Sequence, residues 1–409
     1  MTKLKDNDVF HKLKGLDPVL HDTVLSIYEE LVQIRRDFRK HPELSFQEYR
    51  TASIVGDYLR RWGYDVEEEV GDTGVIGLLQ GEEEGKVFGL RADMDALPMN
   101  DEIEQDYKSI NEGAAHTCGH DMHMANLLGV AKVFSILGLK KGTLKLIFQP
   151  AEEIGVGAKR MIDQGALENP KMDMMAGLHV HPTVGVGKFS ISASTYSGAA
   201  ADFFQLDVHG KGGHAAYPHL TVDPVTITSQ ILVAFQQIVS RKVNPIDSAV
   251  ISVGNINGGT KNNIIPEKVT VKGTVRTLDP EVRELVSSHM KKIASSIAES
   301  YGGSCDLQYN YGPPSIKIDE DAKQLFIESA IELFGKETIK YSQPSMGGED
   351  FSSFSQEVPS FFFRLGTNSG KSTAYSNHNP KFNVDERALL YGVTILTHLT
   401  DKFLNKEAF

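Results

Sequence analysis

The sequence predicts an α/β protein: a mostly parallel β-sheet with helices on both faces, interrupted by a second, smaller α+β unit. Three observations carry this. Apolar strands alternate with amphipathic helices through the first half of the chain, which implies parallel pairing under a cover of helices. Near the middle the order changes to β-α-β-β-α-β, which folds as a layer of its own. The 409 residues also exceed what one hydrophobic core usually holds.

Taken in order, residues 20–40 place Leu25, Tyr28, Leu31, Val32 and Phe38 on one side of a helix. His41-Pro42-Glu43 breaks it. A second helix is expected over 47–62, stopped by Gly63. Strands follow at 64–69, 75–79 and 87–91, the third leading directly into Asp93-Met94-Asp95. A polar loop, 115–123, holds three histidines, Cys118 and Asp121, and feeds an apolar helix over 124–137. Residues 143–148 form a strand by length and β-branching. It runs into Gln149-Pro150-Ala151-Glu152-Glu153. A helix over 156–164 and a strand over 174–178, ending at His179, complete this half. Ligands of open parallel sheets bind beyond the carboxyl ends of the strands. Asp93, Asp95, Glu152, Glu153 and His179 all fall there.

Residues 193–200 are small and polar, like a linker. Beyond them come a strand at 203–208, a helix at 222–239, strands at 249–256 and 269–277, a helix at 281–301 and a strand at 306–311, closed by Gly312-Pro313-Pro314. The order is ferredoxin-like. The chain then returns to a helix at 321–334, a strand at 361–365, a loop with His378 and a last helix at 386–403. The domain reading is therefore 1–195 with 312–409, and an inserted 196–311.

The net charge of −12, with no cluster of lysines and arginines, argues against nucleic acid and an anionic membrane surface as partners. No run of about 18 apolar residues is present to span a bilayer. The first eight residues are charged with no apolar stretch behind them, unlike a secretory leader. With only Cys118 and Cys305, a reducing cytoplasm without a disulfide is the expected setting.

The residues with ligand chemistry are Cys118, His120, Glu153, His179 and His378. A thiolate, a carboxylate and three imidazoles suit zinc, manganese, cobalt or nickel, not magnesium or calcium. Cys118, next to a helix start, is expected to be a thiolate. Five ligands exceed the three protein ligands usual at one catalytic zinc, so two metals sharing a bridging ligand is the natural reading. If Glu153 binds metal, Glu152 stands beside it as a general base. The alternatives on spacing alone are a polar loop with a buried cysteine and a solvated acidic pair.

Six motifs in order, covering about residues 28–400, resemble the metal-dependent amidohydrolases that include hippurate hydrolase, bacterial aminoacylases and plant hydrolases of auxin–amino-acid conjugates. They are Arg35-Arg36 with His41-Pro42-Glu43, Arg91 to Pro98, His116 to Asp121, Gln149 to Glu153, Gly177-Leu178-His179 and Gly212 to His219. The resemblance implies a metal-dependent exopeptidase-like fold, two divalent transition-metal ions per subunit (Mn or Zn, with Co or Ni as alternatives) held by Cys118, His120, Glu153, His179 and His378, and Glu152 as the base. It implies that 196–311 is a lid or dimerisation domain, giving a homodimer or higher homo-oligomer. It places His214 on the substrate or the oxyanion, and Asn263 nearby; His219 belongs to the same motif. From the residues alone, turn caps of a Gly-rich loop are the alternative for His214 and His219, and Arg276 reads equally as a substrate-carboxylate contact or as an ordinary strand arginine. More distant metallopeptidases carry a metal-binding histidine where this chain has Asp93, so Asp93 and Asp95 are expected to orient the ligands. His116, His123 and His181 flank the site.

The implied reaction is hydrolysis of an N-acyl amino acid, a small-molecule substrate, by metal-activated water, releasing a carboxylic acid and an amino acid. A di- or tripeptidase or an N-acetyl-diaminopimelate deacetylase would use the same residues. Thiol catalysis by Cys118 would leave Glu153, His179 and His378 unexplained, and a non-catalytic binding protein would be favoured by a broken ligand set.

Overall fold

The computed structural model describes residues 17–405; the charged first eight residues lie outside these. The chain divides into two compact units. Ser197 ends the first stretch of unit one, which also takes Lys317–Gln343 and the chain from Ser353 onward. Unit two is Gly198–Ile316 with Pro344–Ser352. The last segment was assigned elsewhere from sequence. It joins unit two because Ser345 forms a parallel bridge with Gly198 and its carbonyl accepts the Ala199 N–H.

Unit one is built on an eight-stranded sheet in the order Asp65–Val70, Gly74–Gln80, Lys141–Gln149, Glu83–Asp93, Met174–Gly185, Ser360–Asn368, Phe189–Ser192 and Ile339–Ser342. The four central strands, from Lys141–Gln149 to Ser360–Asn368, are parallel. Antiparallel pairs flank them on both sides. Each strand alternates its faces. Phe88, Leu90 and Ala92, with Leu144, Leu146 and Phe148, enter one apolar cluster beneath helices Pro18–Lys40, His120–Leu137, Glu320–Phe334 and Ala388–Asn405. On the other face, Lys145 donates to the carbonyls of Glu168 and Pro170, in the segment after helix Gly157–Asp163. The first helix starts where Asp17 accepts the N–H groups of Val19 and Leu20 and Pro18 takes the first turn.

Two differences from the sequence reading bear on function. The strand expected to stop at Leu178 continues to Gly185. Its pairing with Glu83–Asp93 does end near there, at Gly177 opposite Arg91, but pairing with Ser360–Asn368 carries on. His179 therefore sits just past the point where one neighbour leaves. The helix expected from Met124 begins at His120. The strands Phe189–Ser192 and Ile339–Ser342 were not foreseen, because four residues are too short for a period to show.

Unit two is a four-stranded antiparallel sheet in the order Ala249–Gly258, Lys268–Thr277, Ala200–His209 and Ser304–Asn310. Helices Pro224–Arg241 and Pro280–Ser300 contribute Ile231, Phe235, Val286 and Met290 to its core against Phe204, Leu206 and Val271. Among the described residues no helix is long and apolar enough to cross a membrane.

Phe326 sits fully buried in unit one, its ring against Phe189, Phe361 and Phe363. Phe326→Ala is expected to cost about 3–5 kcal/mol of stability. Urea unfolding of the variant beside the native chain measures it, and a cost below about 1 kcal/mol would contradict this packing.

Candidate metal centre

The site gathers where the central parallel strands end. Gly119 makes the turn that delivers two of its residues. It holds φ +98°, and a Cβ there would lie 2.3 Å from Val180 Cγ2. The position thus needs glycine for both its backbone and its space. Cys118 precedes the turn, and His120 opens the buried helix behind it. His378 comes from a loop that is tied to this turn. Its own N–H donates to the Thr117 carbonyl, and the Asn377 amide donates to the Cys118 carbonyl at 3.0 Å. Arg39 fastens both loops from behind, donating to the carbonyls of His116 and Phe382 while pairing with Asp101.

Cys118 Sγ lies 3.4 Å from His179 Nε2. His120 Nε2 lies 3.8 Å from Glu153 Oε1 and 3.9 Å from Glu152 Oε2. His378 Nε2 lies 3.6 Å from Glu153 Oε2. Ligand-type atoms fall within 4.8 Å of one another in several groups, among them Cys118–His120–His179, Cys118–Glu153–His378 and His120–Glu152–Glu153. The five residues expected as ligands are therefore brought together, with Glu152 among them.

His120 Nε2 and Glu153 Oε1 are buried without a hydrogen-bond partner. Orphaned polar atoms of this kind are costly unless something completes them. The donors also suit a cation. His120 Nδ1 donates to the Asp95 carbonyl at 2.8 Å, so Nε2 is the nitrogen that faces the cluster. Glu153 is pushed up to about 7, first by burial and then by Asp95. His179 is held well below its ordinary value by burial, next to His123, which keeps it a neutral donor. His120 behaves oppositely. Burial opposes its charge, but Asp93, Asp95 and Cys118 outweigh burial and hold its pKa well above the ordinary value. The residues fit divalent transition metals.

The expected thiolate at Cys118 is corrected. Burial, and then the Glu153 charge, push the thiol well above its usual range. Cys118 stands one residue before the helix cap, and desolvation outweighs any field from the helix. A thiolate here needs a metal.

Asp93 and Asp95 play different parts. Asp93 accepts from Arg91 at 2.7 Å and meets His123 Nδ1 at 2.5 Å. Val180 N–H donates to His123 Nε2, so both nitrogens of His123 are occupied and it supports the cluster from behind. Asp95 accepts the N–H groups of Glu152 and Glu153, each at 3.1 Å. One residue earlier, Ala151, with φ +53°, gives its N–H to Glu48 at 2.9 Å. Two buried carboxylates thus hold three successive N–H groups and aim both glutamates. Sequence reasoning missed Glu48. It stands at the cap position of helix Tyr49–Arg61 but makes no capping bond, turning instead to Ala151 and Thr73. His116 and His181 are both lowered to about 4, mainly by burial; His181 also feels the positive charge of Arg364.

The other expected residues lie in unit two. His214 pairs with Ile264 in a short ladder, and its Nδ1 accepts the Ala216 N–H, the turn-capping role read from sequence. Asn263 is exposed, and its carbonyl accepts the Ala215 N–H. His219 is exposed beside Tyr217. Arg276 donates to the carbonyls of Asp202 and Val275.

The model of the family described as Peptidase family M20/M25/M40 matches residues 89–402. The chain is 40% identical over 395 residues to thermostable carboxypeptidase 1 of Saccharolobus solfataricus, covering 95% of this chain and 98% of that one. It is 36% identical over 402 residues to N-acetyl-L-cysteine deacetylase of Bacillus subtilis, covering 98% and 94%. Among solved structures it resembles the YXEP protein of Bacillus subtilis, described as a dinuclear metal binding peptidase of the M20 family. The TM-score is 0.82, with 31% identity over 94% of this chain and 100% of that one.

Glu48 is raised to about 7 by burial and, to a lesser degree, by Asp95. Between its ordinary 4.5 and about 7, the folded chain keeps a proton that the unfolded chain releases. This contribution to stability is complete below 4.5 and falls as the pH climbs to about 7. Glu48→Gln should flatten that slope. The check is the urea midpoint of metal-free protein across this range; equal slopes in both proteins would refute the assignment.

Proposed function

The chain belongs to peptidase family M20/M25/M40, and from that premise we propose that it hydrolyses the amide bond of N-acyl amino acids with two divalent transition-metal ions. Metal-dependent amide hydrolysis is the activity common to such relatives; the pair of metals and the acyl amino acid are the finer reading. One observation carries the pair. Cys118 Sγ belongs both to the group with His120 and His179 and to the group with Glu153 and His378. A shared thiolate between two ligand sets is the arrangement of a bridged centre. Manganese or zinc suits this mixture of sulfur, nitrogen and oxygen, as do cobalt and nickel.

Bound divalent ions would supply a positive field that acidifies water and polarises the amide carbonyl. The protein's own contribution is a positioned base. Glu152 is nearly buried, its backbone is pinned by Asp95, and its carboxylate joins the group with His120 and Glu153. We assign it the proton taken from the attacking water as the new C–O bond forms. The same proton passes to the amide nitrogen as the C–N bond breaks, leaving a carboxylic acid and an amino acid.

A similar deacetylase acts, by its name, on an N-acetyl amino acid, which supports the acyl-amino-acid reading. A similar carboxypeptidase supports the second reading, a peptide cut beside its C-terminus. Rates on N-acetyl, N-benzoyl and indole-acetyl amino acids beside dipeptides separate the two.

Glu152→Gln is expected to keep about two equivalents of metal per chain and lose turnover by about 10²–10⁴-fold. Elemental analysis and amino-acid release measure the two; retained turnover in metal-replete variant would remove Glu152 from its role. The same family resemblance supports a homodimer through unit two. Sedimentation at twice the chain mass is expected, and a monomer would refute it.

A further inference from the structure

We propose that Arg364 binds the substrate carboxylate. The proposal rests on the acyl-amino-acid reading above and deepens it.

Arg364 lies on Ser360–Asn368, in register opposite His179 on the neighbouring parallel strand and opposite Ser190 on the other side. Phe361, Phe363 and Leu365 from its strand, with Leu178 and Val180 from the next, enter the apolar cluster. The two-residue period of a strand then puts Arg364 on the other face, together with His179 and His181. The guanidinium thus belongs to the same sheet face, and the same register row, as a residue of the metal centre.

Its pairing sets it apart. In unit one, Arg35, Arg36, Arg39, Arg50, Arg91 and Arg387 each reach a carboxylate. Arg364 is half-buried, and its guanidinium has no hydrogen bond or ion pair among the described residues. It does not serve to neutralise the carboxylates of the centre, since Arg91 makes that contact with Asp93 and Arg364 makes none. A partly desolvated guanidinium carries five donors that favour an anionic partner. The substrate of the proposed reaction brings one: every N-acyl amino acid has a carboxylate one carbon from its amide nitrogen. A planar fork matches that group with two parallel hydrogen bonds. Arg276, the candidate from sequence, already donates to two carbonyls and lies over the Phe203 ring.

The test compares the metal-loaded native enzyme with Arg364→Ala, Arg364→Lys and Arg276→Ala. The ligands are an N-acetyl amino acid and the same compound with its carboxylate converted to an amide. Arg364→Ala should raise KM for the acid by about 10–100-fold with kcat largely kept, and leave the amide's KM unchanged. Arg364→Lys should restore part of the loss. Equal effects on acid and amide would mean a merely structural arginine and overturn the proposal, as would a selective loss in Arg276→Ala alone. Calorimetric binding of both ligands provides a readout without turnover. If the native enzyme cleaves neither ligand, the acyl-amino-acid reading fails. Acid-selective binding lost in Arg364→Ala would then still support the carboxylate site, and binding that is not acid-selective, or is unchanged in the variant, would overturn it.

Discussion

The constraint on which the centre depends is the crowding of negative groups around one buried imidazole. Asp93, Glu152 and Glu153 each bring an oxygen within 4 Å of His120 Nε2, and Asp95 approaches its other nitrogen. Carboxylates packed this closely away from water repel one another and are costly to ionise. The fold accepts the cost only if positive charge is present among them. Arg91 supplies some of it from the sheet, and a proton on His120 supplies more. A divalent metal would do so better, because it would also complete the orphaned Nε2 and the orphaned Glu153 oxygen.

That arrangement has to be held against its own repulsion, and the holding is done mostly by backbone. Asp95 and Glu48 accept three consecutive N–H groups at 151–153, which fixes two adjacent glutamates without using their side chains. Behind the helix start, Arg35 pairs with Asp121 and Glu386, while Arg39 bridges the Cys118 turn to the loop of His378. Ligands far apart in sequence thus share one rigid frame. Charge-assisted hydrogen bonds are the means, which explains why Arg35, Arg39 and Arg91 are buried and paired.

The parallel sheet was legible because its strands are apolar and end in polar clusters, and the second unit because its element order changes. Cys118, His120, Glu152 and Glu153 were legible for a related reason: each cluster lies at a chain reversal after a strand or before a helix. His378 was different. It sits at φ +65° in a loop without a period, so its ligand-type side chain, and not its place in an element, pointed to it. Asp95 was expected to orient ligands, but the groups it holds, and the roles of Glu48 and Arg364, were not legible. Asp95 and Glu48 act through N–H groups about 60 and 100 positions away, and Arg364 is distinguished by having no partner; neither property has a local sequence signal. The protonation of Cys118 was misread because a position near a helix start was weighed without burial.

The correction at Cys118 changes how the site must work. Without metal the thiol holds its proton, His120 holds an extra one, and Glu153 titrates near neutrality. A ligand set in this state is poor, since each of the three must lose a proton to bind. Affinity for metal is therefore coupled to proton release, and His179, kept neutral by burial, is the donor that needs no preparation. Glu153 and Cys118 act on each other unequally: the Glu153 charge raises the thiol, while the hydrogen bond from Cys118 lowers the carboxyl. A metal with affinity for both sulfur and oxygen would suit this coupling, since it would offset deprotonation of the thiol and the carboxyl together.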